Sequence, residues 1–322
     1  MKLIIQIPCF NEAETLSIAL AALPREVPGF ECVEWLIVDD GSRDETVEVA
    51  KRCGVDHIVS HPRNQGLAKA FMTGLNACLA LGADVIVNTD ADNQYCADDI
   101  PMLTAPILAG KAEMVVGARP IAEIEHFSSS KKFLQKLGSL VVRLASDTDI
   151  ADAPSGFRAI SRAAAARLMV YNQYTYTLET IIQAGQSGIP ITSVPVRVNE
   201  YLRPSRLVKS IPSYIKRSIL TILRIFILYR PFVFFMTIGT LLFAMGTFIG
   251  IRFLYFWSYD DGDGHIQSLI LAAVLLSCGA GTWLMAVISS LLATNRRLLE
   301  DIRFKVNMAG KFSVPHLWSR RG

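Results

Sequence analysis

The sequence predicts an α/β domain followed by two membrane-spanning helices. Short apolar runs alternate with helical stretches over roughly the first 200 residues. Apolar strands separated by helices are typical of a mostly parallel sheet with helices on both faces. Further along the chain, residues 231–251 and 266–294 contain no charged side chain. At 1.5 Å per residue, either stretch can cross a hydrocarbon core of ~30 Å.

Five apolar runs in the first part of the chain predict buried strands, and the segments between them predict helices. Asn11 is the predicted N-cap of the first helix, and Gly82 is placed to end the third. The predicted strands lie in residues 3–7, 34–42 (a strand followed by a turn), 57–60, 84–90 and 113–119, and the predicted helices in 11–23, 42–53, 66–81 and 98–109.

A second helical part follows the fifth strand. The sequence predicts helices over residues 131–145, 159–168 and 178–186. Residues 191–200 form an extended stretch that contains Pro195. Because proline cannot donate a hydrogen bond to a ladder, this stretch predicts an edge strand.

Four polar motifs directly follow predicted strands. They are PCFNE after the first strand, DDGS after the second, DAD after the fourth and GAR after the fifth. Ligands of parallel sheets bind beyond the carboxyl ends of the strands. We therefore expect the four motifs to form one site.

The segment NTDADNQ brings two carboxylates together, and they repel each other unless a partner offsets their charge. In an extended chain alternate side chains share a face, so Asp90, Asp92 and Gln94 are expected to point the same way. Hard oxygen ligands of this kind suit a divalent cation that also binds a diphosphate. A solvated acidic turn fits the same spacing.

Several classes of protein are disfavoured by what the sequence lacks. No GxGxxG follows the first strand and no GxxxxGK[ST] occurs, which disfavours a Rossmann dehydrogenase and a P-loop NTPase. A net charge of +3 is too small to indicate nucleic-acid binding. The remaining interpretation is a nucleotide whose phosphates are held by a metal ion and by Arg119, whose guanidinium can bind phosphate through two hydrogen bonds.

The part of the chain around the apolar stretches predicts a membrane anchor. Residues 205–230 mix basic and apolar side chains at near-helical spacing, which is typical of helices on anionic membrane surfaces. Basic residues flank the outer ends of both stretches, and the linker SYDDGDGH is acidic. The positive-inside rule then places both termini in the cytoplasm. A surface helix packed on the globular domain, and a helical hairpin buried in a soluble core, are the alternatives.

The motifs IPCFNEAETL, VDDGSRDET, NTDADNQ, VVGAR and DAPSGFRA resemble those of family 2 glycosyltransferases, which have the GT-A fold. Within that family they resemble the polyprenyl-phosphate sugar transferases of the dolichol-phosphate mannose synthase-like group. The resemblance covers about residues 1–210, and the two-span tail is similar to that of membrane-anchored members. It implies the transfer of a sugar from a UDP- or GDP-linked donor to a polyprenyl phosphate, with Mg²⁺ or Mn²⁺ as cofactor.

The resemblance also implies roles for individual residues. Asp40 contacts the base with Asp39 beside it, and Asp92, Asp152 and Arg119 are the expected catalytic residues. The other nucleotide-sugar-binding positions are Pro8, Glu12, Asp90, Ala91, Gln94 and Ser155, and the metal ligands are Asp90, Asp92 and Gln94. The acceptor phosphate is expected at Lys131, Lys132, Arg203, Arg206 and Lys209. Relatives more often have Ser-Arg where this chain has Ser130-Lys131.

The expected organisation combines a catalytic domain and an anchor in a prokaryotic inner or plasma membrane. The expected parts are a cytoplasmic domain (1–204), an amphipathic juxtamembrane segment (205–230), two spans (231–257 and 266–295) joined by an external loop (258–265), and a cytoplasmic tail (296–322). Related members suggest a homo-oligomer, such as a tetramer. A transferase that uses a glycan or other hydroxyl acceptor, and a non-catalytic membrane scaffold, stay open.

Overall fold

The computed structural model describes most of the chain in two compact units. The described residues are 1–120, 142–143, 146, 148–170, 176–199, 220, 223–224, 227–260, 266–308 and 317–320. One unit comprises Met1–Ser218 with Glu300–Gly322, and the other comprises Ile219–Leu299. Most of the predicted helix 131–145 and of the basic segment 205–230 lies outside the described residues.

The described part of the first unit contains an eight-stranded mixed sheet. Its order is β7-β5-β6-β4-β1-β2-β3-β8, in which β6 runs antiparallel to β4 and β5, and β8 antiparallel to β3. The other neighbours are parallel. The strands are β1 (Lys2–Cys9), β2 (Cys32–Asp39), β3 (His57–Ser60), β4 (Val85–Asn88), β5 (Met114–Ala118), β6 (Arg158–Ser161), β7 (Ile191–Pro195) and β8 (Leu317–Ser319). The predicted edge strand is therefore confirmed as β7.

Helices cover both faces of this sheet, as the sequence predicts. The helices are α1 (Leu16–Ala22), α2 (Thr46–Arg52), α3 (Leu67–Ala80), α4 (Ile100–Leu108), α5 (Arg162–Arg167), α6 (Thr177–Gln186), α7 (Pro231–Asp260) and α8 (Ile266–Met308). Leu3, Ile5 and Ile7 of β1 lie in one apolar cluster with residues of α1, α2 and α4. Gln6 of β1 faces the opposite side of the sheet, where the Sγ atom of Cys78 in α3 lies 3.9 Å from Gln6 Oε1. Each buried Leu or Ile stabilises the fold by about 1.5–3 kcal/mol.

Two predictions about helices are wrong. Residues 159–161 were expected to be helical, but they form most of β6, and α5 begins only at Arg162. Pairing of β6 with β4 and β5 outweighs the helical preference of its alanine. Asn11 does not cap α1, which begins at Leu16. Its backbone is instead left-handed, with φ of 55°, a conformation that asparagine tolerates better than most residues.

The C-terminal end adds a strand that the sequence pattern did not predict. Strand β8 pairs with β3, and the Arg320 amide donates to the Asp56 carbonyl at 2.9 Å. The Lys51 ammonium lies 5.6 Å from the centre of the Trp318 ring. The end of the chain thus covers the sheet edge at β3.

Helices α7 and α8 are long and apolar enough to cross a bilayer. In the most apolar stretch of each helix, only 11% of the residues of α7 and 17% of those of α8 are buried, which disfavours a hairpin inside a soluble core. The helices approach closely at Gly239 and Gly279, where a Cβ on Gly279 would lie 3.0 Å from the Gly239 carbonyl oxygen. Small residues at such a crossing are typical of helix pairs in membranes.

Candidate active site

The motifs after β1, β2, β4 and β5 meet at one edge of the sheet. The first three of these strands are mutually parallel, and β5 has the same direction because β6 is antiparallel to both β4 and β5. The Asn11 amide donates to Ser42 Oγ at 2.9 Å, and Asn11 Oδ1 accepts from the Arg43 amide at 2.9 Å. Asn11 therefore ties the first motif to the second.

A buried thiol lies among the acidic groups of three motifs. Burial, followed by the charges of Glu12 and Asp39 and, more weakly, of Asp90, raises the pKa of the Cys9 thiol well above its usual value. Carboxylates from the first, second and fourth strand ends thus all act on the thiol at the end of β1. Such a concentration of negative charge favours a bound cation.

The two acids of the DDGS motif have different environments. Asp40 Oδ1 lies 2.7 Å from His61 Nδ1 and accepts from the Gln65 amide at 2.9 Å, while Oδ2 accepts from the Gly66 amide at 2.8 Å. Asp40 therefore stabilises the amino end of α3. Asp39 Oδ1 accepts from the Ser42 amide at 3.1 Å. Both side chains are almost fully buried.

The segment with Asp90 and Asp92 is a turn and not an extended strand. Strand β4 ends at Asn88, residues 91–92 form the turn, and Asn93 is left-handed with φ of 56°. The Gln94 amide donates to Asp92 Oδ1 at 3.2 Å. The expectation that three alternate side chains share a face because the chain is extended is therefore wrong, although the two carboxylates still lie near each other.

The electrostatics of this turn fit a bound divalent cation. Burial, reinforced by the Asp92 charge, raises the pKa of Asp90 to about 7, although Arg119 and Arg158 act in the opposite direction. A buried carboxylate beside a second carboxylate is a donor set that a hard cation would stabilise. No larger group of His, Cys, Asp and Glu side chains with metal-ligand geometry occurs in the described part of the chain.

Three residues to which the sequence analysis gave no role, Asn88, Tyr95 and Gly156, form the surroundings of Asp90. The backbone of Gly156 lies against Asp90, since a Cβ on Gly156 would be 3.2 Å from both carboxylate oxygens. The Gly156 amide donates to the Tyr95 hydroxyl at 3.0 Å, and its carbonyl accepts from Asn88 Nδ2 at 2.8 Å. A side chain at position 156 would displace Asp90, which explains the glycine in DAPSGFRA.

Arg119 and Asp152 form a buried ion pair. Arg119 Nε donates to Asp152 Oδ2 at 2.7 Å and Nη2 donates to Oδ1 at 3.0 Å, while the Arg119 amide also donates to Oδ2 at 3.2 Å. Burial alone would lower the pKa of Arg119, but the electrostatic effects of Tyr95 and of the Asp152 carboxylate outweigh it and raise that pKa. Arg119 is thus a fixed cation, and both oxygens of Asp152 are engaged.

A second arginine, Arg158, supports the site; it lies in the DAPSGFRA motif, but it was given no role in the sequence analysis. Its side chain is fully buried and donates to the carbonyls of Ala153 and Ser155 and to the Thr180 hydroxyl. Burial lowers the pKa of Arg158 to about 10. The signal available in the sequence was a charged residue inside the apolar run FRAI, where only a functional or structural demand explains burial of a cation.

The remaining predicted site residues divide into two sets. Pro8, Ala91 and Ser155 are buried at the same edge of the sheet, and Glu12 Oε2 accepts from the Thr15 hydroxyl at 2.8 Å. The predicted acceptor residues Lys131, Lys132, Arg203, Arg206 and Lys209 lie outside the described residues.

Several known proteins are similar to this chain in sequence or in structure. The UDP-N-acetylglucosamine–dolichyl-phosphate N-acetylglucosaminyltransferase of Methanococcus voltae is 29% identical over 213 residues, covering 59% of this chain and 83% of the relative. The undecaprenyl-phosphate mannosyltransferase of Micrococcus luteus is 28% identical over 206 residues, covering 61% and 83%. A glucosyl-3-phosphoglycerate synthase from Mycobacterium tuberculosis, solved with Mn²⁺ and UDP-glucose, superimposes with a TM-score of 0.53 at 20% identity over 69% of this chain and 78% of that chain.

The solved structure shows that the two chains share the GT-A fold. The family match is more specific, because residues 4–169, about half of the 322 in the chain, match the family described as Glycosyl transferase family 2. The chain is therefore a glycosyltransferase that belongs to glycosyl transferase family 2.

Proposed function

We propose that this glycosyltransferase moves a sugar from a UDP- or GDP-linked donor to a polyprenyl phosphate in a membrane. One observation carries the proposal. A family 2 site with the paired carboxylates of Asp90 and Asp92 occurs in a chain that also has two apolar helices able to span a bilayer. The named activities of the Methanococcus and Micrococcus relatives, which both use polyprenyl-type phosphates, support the same acceptor class.

The donor diphosphate is assigned to the turn after β4. Asp90 and Asp92, with Gln94 beside them, would hold Mg²⁺ or Mn²⁺, and the ion would offset the charge of the diphosphate leaving group. Arg119 adds a permanent positive charge at the next strand end. The Mn²⁺ present in the solved relative supports a divalent cation here.

The nucleoside is assigned to the DDGS motif, with Asp39 as the base contact in place of Asp40. Asp40 already accepts hydrogen bonds from two backbone amides and lies against His61. Among the described residues Asp39 accepts one such bond, from the Ser42 amide. Asp39 therefore retains more acceptor capacity for the N–H groups of a base.

The chemistry is an in-line displacement with inversion at the anomeric carbon. An oxygen of the acceptor phosphate forms the new bond to this carbon, while the bond to the diphosphate oxygen breaks and the nucleoside diphosphate leaves. A phosphate monoester has a second pKa of about 6, so it needs no strong base near neutral pH. Asp152 then orients Arg119 and does not abstract a proton, which fits its two-point contact with that guanidinium.

The basic residues Lys131, Lys132, Arg203, Arg206 and Lys209 are proposed to bind the acceptor phosphate. The catalytic domain and both termini are proposed to face the cytoplasm. The pairing of β8 with β3 supports this topology, because it keeps the end of the chain with the catalytic domain after two crossings. Assembly into a homo-oligomer stays a prediction.

The experiment is a panel of labelled nucleotide sugars incubated with membranes that contain the chain and with polyprenyl phosphate. We expect label in the lipid fraction from one donor, with loss of the signal when excess chelator is added. Full activity in chelator would contradict the metal assignment, and absence of any labelled lipid from all donors would contradict the acceptor class.

A further inference from the structure

The segment just beyond β7, residues 197–199, pairs with the residues that directly follow the turn with Asp90 and Asp92. Residues 94–96 run antiparallel to residues 197–199, with a bridge between Tyr95 and Val198. The Asn199 amide donates to the Gln94 carbonyl at 2.9 Å, and the Cys96 amide donates to the Arg197 carbonyl at 3.2 Å. No motif in the sequence connects these two stretches, which are about a hundred residues apart.

One side chain in this segment reaches the turn itself. Asn199 Nδ2 donates to the Asn93 carbonyl at 2.9 Å and to the Tyr95 carbonyl at 3.2 Å. Asn93 is the left-handed residue that directly follows Asp92. The side-chain amide of Asn199 therefore donates to the backbone carbonyls on both sides of Gln94, where the chain leaves the turn.

The segment that carries Asn199 is itself fixed at two points. Arg197 Nε and Nη2 donate to Asp99 Oδ1 at 2.9 and 2.7 Å, and the Arg197 amide donates to Asp99 Oδ2 at 2.6 Å. The Val196 amide donates to the Ala118 carbonyl at 3.0 Å, next to Arg119. The segment that carries Asn199 is thus held by contacts to Asp99 and Ala118, which lie outside the turn.

We propose that Asn199 is a positioning residue that holds Asp92 in the arrangement required to bind the divalent cation. The inference rests on the proposed function, because it concerns the same cation site. Asparagine tolerates the left-handed conformation but does not require it, so contacts to the backbone after Asp92 select this conformation over others. Asn199 supplies two of them, and its loss would let the Asp92 carboxylate leave the position opposite Asp90.

The test compares Asn199→Leu, which keeps the approximate shape but removes the donor, with Asn199→Gln, which keeps the amide. The control is Ser193→Ala on β7, the strand that precedes this segment. Mn²⁺ binding to the detergent-solubilised full chain is measured by loss of the free Mn²⁺ spin-resonance signal, with UDP and separately with GDP present. The melting temperature, the donor KM and kcat at saturating Mn²⁺ are measured in parallel.

We expect Asn199→Leu to bind Mn²⁺ about tenfold more weakly, as the loss of two neutral hydrogen bonds suggests. Its donor KM should rise by a similar factor, while kcat at saturating Mn²⁺ and the melting temperature stay close to those of wild type. Asn199→Gln should recover part of the loss, and Ser193→Ala should bind Mn²⁺ like wild type.

Wild-type Mn²⁺ affinity in Asn199→Leu would overturn the inference and leave the proposed function intact. Equal weakening in the Leu and Gln variants, together with a lower melting temperature, would overturn it in favour of a purely structural role. A wild-type chain that binds no Mn²⁺ with either nucleotide would overturn both this inference and the metal assignment, so the two failures are distinguishable.

Discussion

At the scale of single residues, the site depends on charges that are buried and paired. Burial and Asp92 raise the pKa of Asp90 to about 7, while Arg119 is committed to Asp152 through two hydrogen bonds. Breaking a buried pair by removing one partner typically costs about 3–5 kcal/mol. Substitutions at these residues are therefore best chosen to keep shape and to change one interaction.

Asp92→Ala tests the metal assignment at a single residue. We expect the loss of at least about a hundredfold in kcat, the scale of an electrostatic contact made to the leaving group, and the loss of Mn²⁺ binding. Asp98→Ala is the matched control, because Asp98 is an exposed carboxylate a few positions along the same segment. Equal activity of the two variants in a donor-saturated assay would refute the assignment.

The variant Asp152→Asn tests whether Asp152 acts as a general base or only positions Arg119. If Asp152 only orients Arg119, the variant should lose turnover but keep the rise of kcat with pH near 6, which reflects ionisation of the acceptor phosphate. The pH profile of kcat over about pH 5–9 is the measurement. A profile that loses its ascending limb would assign the proton transfer to Asp152.

At the scale of elements, the amino ends of three adjacent strands are joined by a charged cluster. Lys2 Nζ of β1 lies 2.7 Å from Glu34 Oε2 of β2, and His57 Nε2 of β3 lies 2.7 Å from the same oxygen. Burial alone would raise the pKa of Glu34, but the hydrogen bonds from Lys2 and His57 outweigh it and lower that pKa. The ionised carboxylate therefore stabilises the junction of β1, β2 and β3.

Glu34→Gln should destabilise the fold in a pH-dependent way. Because the folded-state pKa is lowered, the stabilising contribution is fully present above the unfolded value of about 4.3 and is lost as pH falls through the folded value. We expect a loss of about 2 kcal/mol at pH 7, as for a hydrogen bond to a charged group, and convergence with wild type in acid. Thermal melting at several pH values checks this, with Glu48→Gln on the exposed side of α2 as control. A pH-independent difference would contradict the account.

Much of the fold could be predicted from local pattern, and the exceptions have a shared cause. Strands β1 to β5 are short, mostly apolar runs, and their length and the turn residues beside them identify them as buried strands. Strands β6 and β8 are short, and only pairing with distant partners makes them strands. The convergence of Asp90, Asp92 and Arg119 followed from strand ends. Asn88 and Asn199, in contrast, donate to backbone carbonyls that are distant in the sequence, and no local pattern identifies those partners.

At the scale of the whole molecule, the chain returns to its catalytic domain after the two apolar helices. Strand β8 pairs with β3, and the Arg320 amide binds the Asp56 carbonyl. Two crossings of a bilayer would place both ends of the chain on one side. In the proposed topology, a family 2 site would then act at the membrane that holds the proposed acceptor.

Cysteine labelling tests this topology. Ser258→Cys, at the end of α7, should react with an impermeant maleimide added to right-side-out vesicles, because the loop after α7 faces outward in the proposed arrangement. A tag on the C-terminus should be protected from protease in the same vesicles, and wild type reports the labelling of native cysteines. Accessibility of the tag with protection of Ser258→Cys would reverse the orientation.

The most direct test of the central claim is transfer of labelled sugar into lipid. Membranes with wild-type chain or with Asp92→Ala are given labelled nucleotide sugars, with and without added polyprenyl phosphate, and the organic phase is counted and analysed by mass spectrometry. We predict a polyprenyl-monophosphate sugar that rises with added acceptor and is absent from the variant. Label that enters only water-soluble products, or lipid label that is equal in the two membranes, would contradict the claim.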